Sequence, residues 1–284
     1  MIKTKTFTKI SNLSPGKFTL YYDDSISPKA FIIYIHGGGL FYGSSQDLPS
    51  YHIEKILSSS YNILAIDYPL APERKLDYIL DDITDSIEYI INNKTNFFSK
   101  DLPFFIWGRS AGAYLALLSL SKHKFAEDPL GLISYYGYGF FKDDWDKLRN
   151  PYYLSFPKIE AKKFNFTKNK DVFTAPLEEK YHLYVYARQT GKWSSMLLDK
   201  REKYFYSDFS LRSAHAFNFP LFLTHAINDP DVPFAELNQI RKLGKSKVYI
   251  APVDIHDFDR DTSLTFSKKL ISQTIDFLED QVSN

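Results

Sequence analysis

The stretch "FFIWGRSAGAYLALL", Phe104 to Leu118, changes character twice. Apolar and aromatic residues from Pro103 to Trp107 suit a buried strand, while the Ala- and Leu-rich run beyond Ala111 suits a helix. Between them lies Gly108-Arg109-Ser110-Ala111-Gly112, a G-x-S-x-G pattern in a strand–turn–helix context. Its glycines permit a sharp turn with no side chain crowding the serine. Such a turn lifts the Ser110 hydroxyl to the carboxyl end of the sheet, above the start of the helix. A serine acting only as a helix cap would explain the same residues. The pattern alone leaves both open.

Outward from this turn, short apolar runs alternate with helix-like stretches. Strands are predicted at Lys17–Tyr22, Ala30–Ile35, Tyr61–Asp67, Pro103–Trp107, Leu130–Tyr136, Pro220–His225 and Lys247–Val253. "YILDDITDSIEYIINN", from Tyr78, places Ile79, Ile83, Ile87 and Ile90 on one helical face, and "TFSKKLISQTIDFLED" repeats the pattern near the C-terminus. Strand–helix alternation predicts an α/β protein with a mostly parallel sheet covered on both faces. From about Phe141 to Phe217 the alternation stops. That stretch holds clustered aromatics ("NPYYLSF", "EKYHLYVYARQTGKW", "EKYFYSDF") and basic residues from Lys158 to Lys170, which read as a solvated face. A structureless loop of that length is improbable inside a compact domain, so the expectation is one domain spanning 1–284 with a helical cap inserted at about 141–217.

Composition removes several function classes. The 284 residues are 44% hydrophobic and 24% charged, with 35 basic against 34 acidic side chains and a net charge of +1. No general field favours nucleic acid or another polyanion. With no cysteine there is no disulfide framework, thiolate chemistry or Cys-built zinc site. No long apolar run indicates a membrane span, and "MIKTKTFTKI" lacks the apolar core of a signal peptide, so a cytoplasmic location is expected. Asp257, Asp259 and Asp261 alternate like a calcium loop, but Thr262 stands where such a loop needs glycine and Lys268 where it needs glutamate. Neither a metal site nor a nucleotide cofactor is expected. Oligomeric state is not legible.

A second glycine cluster follows the strand at Ala30–Ile35, in "YIHGGGLFYGS" from Tyr34 to Ser44. Three consecutive glycines weaken a strand and disfavour a helix. They do expose backbone N–H groups. A carbonyl attacked by Ser110 becomes a tetrahedral oxyanion, and loss of one preorganised donor to it costs about 100- to 1,000-fold in rate. Gly38, Gly39 and Ala111 are the expected donors. His36 is expected to hold this loop by hydrogen bonding rather than to move protons.

With these residues quoted, the chain resembles the α/β-hydrolase superfamily, and within it the hormone-sensitive-lipase-like esterases. Three motifs carry the resemblance: His36-Gly37-Gly38-Gly39, "DYPLAPE" from Asp67 to Glu73, and the Ser110 turn. The resemblance spans about Ala30 to Asp261 without the insert. It implies a chain order of Ser, acid, His. In "THAINDPDVPF", Asp229 matches the D-x-x-V-P pattern with Val232 and Pro233, and Asp231 is the alternative acid. In "VDIHDFDRD", His256 stands where the histidine of such enzymes falls; His225 precedes the acid and is read as structural.

Three positions depart from the pattern. Arg109 replaces a residue that is often acidic, and is expected to pair with a surface carboxylate. Ala113 replaces a glycine, and Pro69 stands where many relatives have arginine. The resemblance implies a serine carboxylesterase acting on short-chain acyl or aromatic esters. Two alternatives stay open: an amidase or peptidase on the same three residues, and a ligand receptor like the plant gibberellin receptors, which lack the catalytic histidine.

Overall fold

The computed structural model describes residues 1–9, 13–161, 164, 167–168, 170–175, 177–199 and 202–283. Its strands are β1 (Lys3–Thr8), β2 (Lys17–Tyr22), β3 (Ala30–Ile35), β4 (Tyr61–Ile66), β5 (Phe104–Arg109), β6 (Leu132–Tyr135), β7 (Leu221–Ala226) and β8 (Ser246–Ala251). They form one eight-stranded sheet in the order β1-β2-β4-β3-β5-β6-β7-β8. β3 to β8 run parallel, with Ile33 opposite both Leu64 and Ile106, while β1 and β2 are antiparallel to their neighbours. All seven predicted strands are present. β1 is an addition: its side chains are almost all exposed, so it lacks the buried apolar run that marks the others.

The sheet's two faces follow from its period of two. Phe31, Ile33 and Ile35 point to one side and Ile32 and Tyr34 to the other. The first side is covered by α2 (Leu76–Asn92), the short α3 (Lys94–Phe97) and α4 (Ala111–Lys122); the second by α1 (Ser50–Ser58) and the C-terminal helix described below. α2 presents Ile79, Ile83, Ile87 and Ile90, all fully buried, as the spacing requires. Residues 111 to 119 of α4 are buried throughout, so this helix is apolar on every side.

Between β6 and β7 the chain forms a 3-10 turn (Lys142–Lys147), α5 (Pro151–Leu154), α6 (Leu177–Thr190), α7 (Trp193–Leu197), a second 3-10 turn (Glu202–Tyr204) and α8 (Phe205–Phe209), with no strand among the described residues. Part of the predicted basic stretch (162, 163, 165, 166 and 169) lies outside the described residues. Phe141, Trp145, Trp193 and Phe205 pack ring against ring here, with Phe141 and Phe205 centroids 4.8 Å apart. After β7 come α9 (Ala235–Ile240), β8 and α10 (Thr265–Val282), which buries Leu270, Ile271, Phe277 and Leu278. The buried Glu236 carboxylate accepts from the N–H groups of Gly139, Phe140 and Lys142 and from Trp145 Nε1, which ties α9 to the segment after β6.

Because β3, β5, β6, β7 and β8 are parallel, the loops leaving their carboxyl ends gather along one edge of the sheet. The turn at Ser110 fits there through one close approach. A Cβ on Gly112 would lie 2.1 Å from the Ile35 carbonyl oxygen and 2.4 Å from that of His36. Gly112→Ala is therefore expected to destabilise the fold by about 1–3 kcal/mol or more, because backbone must move. Gly244→Ala is the control. Its backbone is extended and its nearest foreign atom would be 3.4 Å away, so stability should hold or rise by about 0.4–1 kcal/mol. Urea unfolding of both variants checks this; equal losses would contradict it.

Candidate active site

Ser110 follows directly on β5, with φ of 51° and ψ of −116°, a backbone conformation that a residue with a side chain rarely adopts. Its N–H donates to the Tyr135 carbonyl of β6 at 2.8 Å. Its side chain makes no capping bond to α4, so helix capping does not account for this serine. Instead, Ser110 Oγ lies 2.9 Å from His256 Nε2. On the other side of the ring, His256 Nδ1 lies 2.7 Å from Asp229 Oδ2. Asp229 Oδ1 accepts from the N–H groups of Asp231 and Val232, both at 2.9 Å. Three loops, after β5, β7 and β8, thus form one chain of hydrogen bonds.

Of the two candidate acids, Asp229 is the one bonded to His256. Asp231 is engaged elsewhere: Tyr184 of α6 donates to it at 2.7 Å, and Arg188 of the same helix pairs with it at 3.2 Å. His225 supports Asp229 from the side, its Nε2 being 3.0 Å from the Val232 carbonyl and 3.3 Å from Asp229 Oδ2.

Burial alone would push the His256 imidazole down. The carboxylate of Asp229 overrides this, with Asp231 and Asp257 adding to it, and His256 is held above its ordinary 6.5. For Asp229 burial acts upward, but the charge and hydrogen bond of His256, then His225 and the Val232 amide, hold it below the usual carboxylate range. Its charge is kept on the imidazole's far side, where it favours a proton on Nδ1; in the neutral ring this leaves Nε2 as the nitrogen that can accept from Ser110.

The glycine loop is held peptide by peptide. The Gly37 carbonyl faces His36 Nδ1 at 2.8 Å and accepts from Tyr68 at 3.2 Å, and the two rings stack with centroids 4.1 Å apart. In a trans peptide C=O and N–H point opposite ways, so these bonds turn the Gly38 N–H away from His36. The Gly38 carbonyl accepts from Phe41 and Tyr42 N–H at 3.0 and 3.1 Å, which turns the Gly39 N–H out of that turn. Both glycines have positive φ, 98° and 60°. A side chain is also excluded by space: a Cβ would lie 1.9 Å from the Tyr42 carbonyl oxygen at Gly38 and 2.3 Å from the Tyr184 ring at Gly39. Ala111, the first residue of α4, has an N–H that no carbonyl of its own helix can reach. The "DYPLAPE" segment braces this loop. Asp67 accepts from Ser45 N and Oγ, Ala71 N–H donates to the Leu40 carbonyl, and Glu73 pairs with Lys180 of α6.

A cavity of about 680 Å³ opens over Ser110, bordered by the three glycines, His256 and Tyr136. Its far wall includes Tyr181, His182 and Tyr184 of α6, with Tyr42 beside them. The sequence had shown these aromatics only as a cluster in "EKYHLYVYARQTGKW"; nothing local in it says which way they point. Trp193 of α7 reaches down to the glycine loop and donates to the Gly39 carbonyl at 3.0 Å.

Arg109 requires a correction. It is buried, and its partners are buried or nearly so: Asp259 at 3.0 Å, Tyr136 at 2.9 Å, Tyr34 at 3.4 Å and Asp47 at 3.5 Å. A pairing across 150 positions of chain with a fully buried carboxylate left no local mark for the sequence to show. Two of the aspartates that alternate like a calcium loop thus face arginines, Asp259 facing Arg109 and Asp257 facing Arg260.

Comparison with known proteins gives a consistent result. Residues 20–147 match the model of the BD-FAE family, an esterase-like family of α/β-hydrolases. A Staphylococcus aureus subsp. aureus Mu50 protein of unknown function superposes with a TM-score of 0.80 at 28% identity, covering 98% of this chain and 99% of that one. An α/β hydrolase superfamily protein from Enterococcus faecalis does so at 0.78 and 28%, with coverage of 98% and 99%. The esterase LipW from Mycobacterium marinum, at 17% identity and a TM-score of 0.67 over 99% and 82% of the two chains, shares the fold. Among the described residues, no helix is long and apolar enough to cross a membrane.

The electrostatics of His256 can be tested directly. By ¹⁵N NMR its imidazole should titrate above 6.5, and Asp229→Asn, which removes the charge while burial stays, should lower that value. An unchanged titration in the variant would show that Asp229 does not set the charge of this ring.

Proposed function

We propose that this chain, which has the α/β-hydrolase fold, is a serine carboxylesterase with Ser110 as nucleophile. The observation that carries this reading is the continuous hydrogen-bond chain from Ser110 Oγ through His256 to Asp229, at 2.9 and 2.7 Å, at the mouth of a cavity. In the proposed reaction His256 Nε2 takes the Ser110 proton as Oγ attacks the acyl carbon. The negative oxygen that forms is held by the N–H groups of Gly38, Gly39 and Ala111. Collapse expels the alcohol, which receives its proton from His256. Water then attacks the acyl-enzyme with the same histidine as base, and Ser110 leaves with the proton returned. Asp229 orients the ring and balances its transient charge.

Residues 141–217 are read as a cap, because α6 supplies one wall of the cavity and α7 a bond to the glycine loop. Substrate class follows from the lining. Tyr42, Tyr136, Tyr181 and Tyr184 offer aromatic surface, and the charges beside them are paired among themselves: Asp47 with Arg260, Asp257 with Arg260, Asp231 with Arg188. A charged substrate would have to break such a pair, so neutral esters with a short acyl or aromatic group fit best. Against a purely ligand-binding role stands the Ser110–His256 bond, which a receptor has no need to keep.

Hydrolysis of a p-nitrophenyl ester series against the matching anilides tests the proposal. The expected outcome is turnover of the short-chain esters in preference to anilides, reduced by roughly 10⁴-fold or more in Ser110→Ala. Preference for anilides would make the protein an amidase. Tight binding without turnover would make it a receptor.

A further inference from the structure

Arg109 immediately precedes Ser110, and Asp259 lies three positions after His256. Their side chains meet below the site, with Arg109 Nη2 3.0 Å from the Asp259 carboxylate. Tyr136 joins them: Arg109 Nε donates to its hydroxyl at 2.9 Å, and that hydroxyl donates to Asp259 Oδ1 at 2.6 Å. The same Tyr136 ring packs against the imidazole of His256, with centroids 4.6 Å apart. Its backbone has φ of 41°, and its N–H is fixed to the Thr224 carbonyl of β7 at 2.7 Å. Resting on the proposed function, we propose that Arg109, Asp259 and Tyr136 are positioning residues that hold the His256 imidazole in line with the Ser110 hydroxyl.

The physical case rests on what a buried ion pair is good for. Removing two charges from water costs about as much as their attraction returns, so such a pair adds little net stability. It does impose direction. The guanidinium is a rigid planar fork, and here its Nε and Nη2 edge is matched by one hydroxyl and one carboxylate. Arg109 is carried by β5 and Asp259 by the loop after β8, so the fork fixes the distance between the nucleophile's strand and the histidine's loop. Beyond it, His256 is bonded to Asp229 and Ser110, and its loop is tied at the exposed side by Arg260, which pairs with Asp47. A shift of about 1 Å in such a geometry costs on the order of 100-fold in rate. Asp259 stays ionised: burial acts upward on it, but Arg109, His52 and Tyr136 hold it below the ordinary carboxylate range. Arg109 and Tyr136 also border the cavity, whereas Asp259 does not, and the Tyr136 hydroxyl is taken up by Arg109 and Asp259.

Two variants separate position from stability. Arg109→Met/Asp259→Leu removes the pair as a whole and fills its place with apolar groups, a change that is often neutral for folding. Tyr136→Phe keeps the ring against His256 and removes only the latching hydroxyl. For each, kcat, KM and Tm on a p-nitrophenyl ester are measured, together with the low-field proton NMR signal of His256 Nδ1–H, assigned by its loss in Asp229→Asn. The expected result is a native Tm, a kcat lower by roughly 10- to 100-fold with KM changed far less than kcat, and a broadened or absent Nδ1–H signal. Folded variants with wild-type kcat and an unaltered signal would overturn the proposal, as would a loss of kcat that only follows a fall in Tm. If the double variant does not fold, Tyr136→Phe decides. If the wild-type protein hydrolyses no ester, the carboxylesterase reading fails, and the NMR signal still tests whether these residues position His256.

Discussion

Ser110 is held in a backbone conformation that L-residues avoid, and much of the molecule's upper edge answers to that constraint. A φ of 51° costs free energy, which surrounding contacts must offset. They are identifiable. The N–H of Ser110 is fixed by Tyr135, its carbonyl accepts from Tyr114, and Gly112 lets α4 lie directly on the backbone ending β3. The resulting turn aims the hydroxyl away from its own helix and toward His256. Because β3 and β5 are adjacent and parallel, the same packing brings the glycine loop alongside. One strained residue thus sets the geometry of the hydroxyl and brings the glycine loop beside it.

Electrostatics organises the second half of the site. Four buried or half-buried carboxylates, Asp229, Asp231, Asp257 and Asp259, lie within the two loops after β7 and β8. Left unpaired, they would repel one another and cost folding free energy. Each has a separate partner: His256, Arg188, Arg260 and Arg109 respectively. With the other three paired to arginines, the charge of Asp229 faces the imidazoles of His256 and His225. The pairing of Asp231 with Arg188 also joins the inserted segment to the sheet, since Arg188 belongs to α6 and Asp231 to the loop after β7.

The features legible in the sequence share one property: their signal is local. Seven strands declared themselves as apolar runs, and the turns at Gly37–Gly39 and Gly108–Gly112 as glycine in places where it harms regular structure. The resemblance to known esterases supplied the order in which Ser110, Asp229 and His256 occur, and the structure brings those three together. β1 escaped notice because KTKTFT buries almost nothing and pairs only at the edge of the sheet. The partner of Arg109 escaped for the opposite reason. A buried cation looks like a surface one until the carboxylate opposite it is known, and here that carboxylate is 150 positions away. The cavity wall contributed by Tyr181 and Tyr184 was visible as composition and not as direction, since packing of the inserted helices is set by contacts made across the whole chain.

The central claim is that the Ser110 hydroxyl is a nucleophile made reactive by His256. Covalent capture measures this without assuming a substrate. The protein is incubated with a fluorophosphonate, which loses fluoride when an activated serine oxygen attacks phosphorus, and the adduct is located by peptide mass spectrometry. The expected result is one adduct per chain, on Ser110, with labelling abolished in a folded His256→Ala variant. No adduct, an adduct on another residue, or undiminished labelling in His256→Ala would contradict the claim.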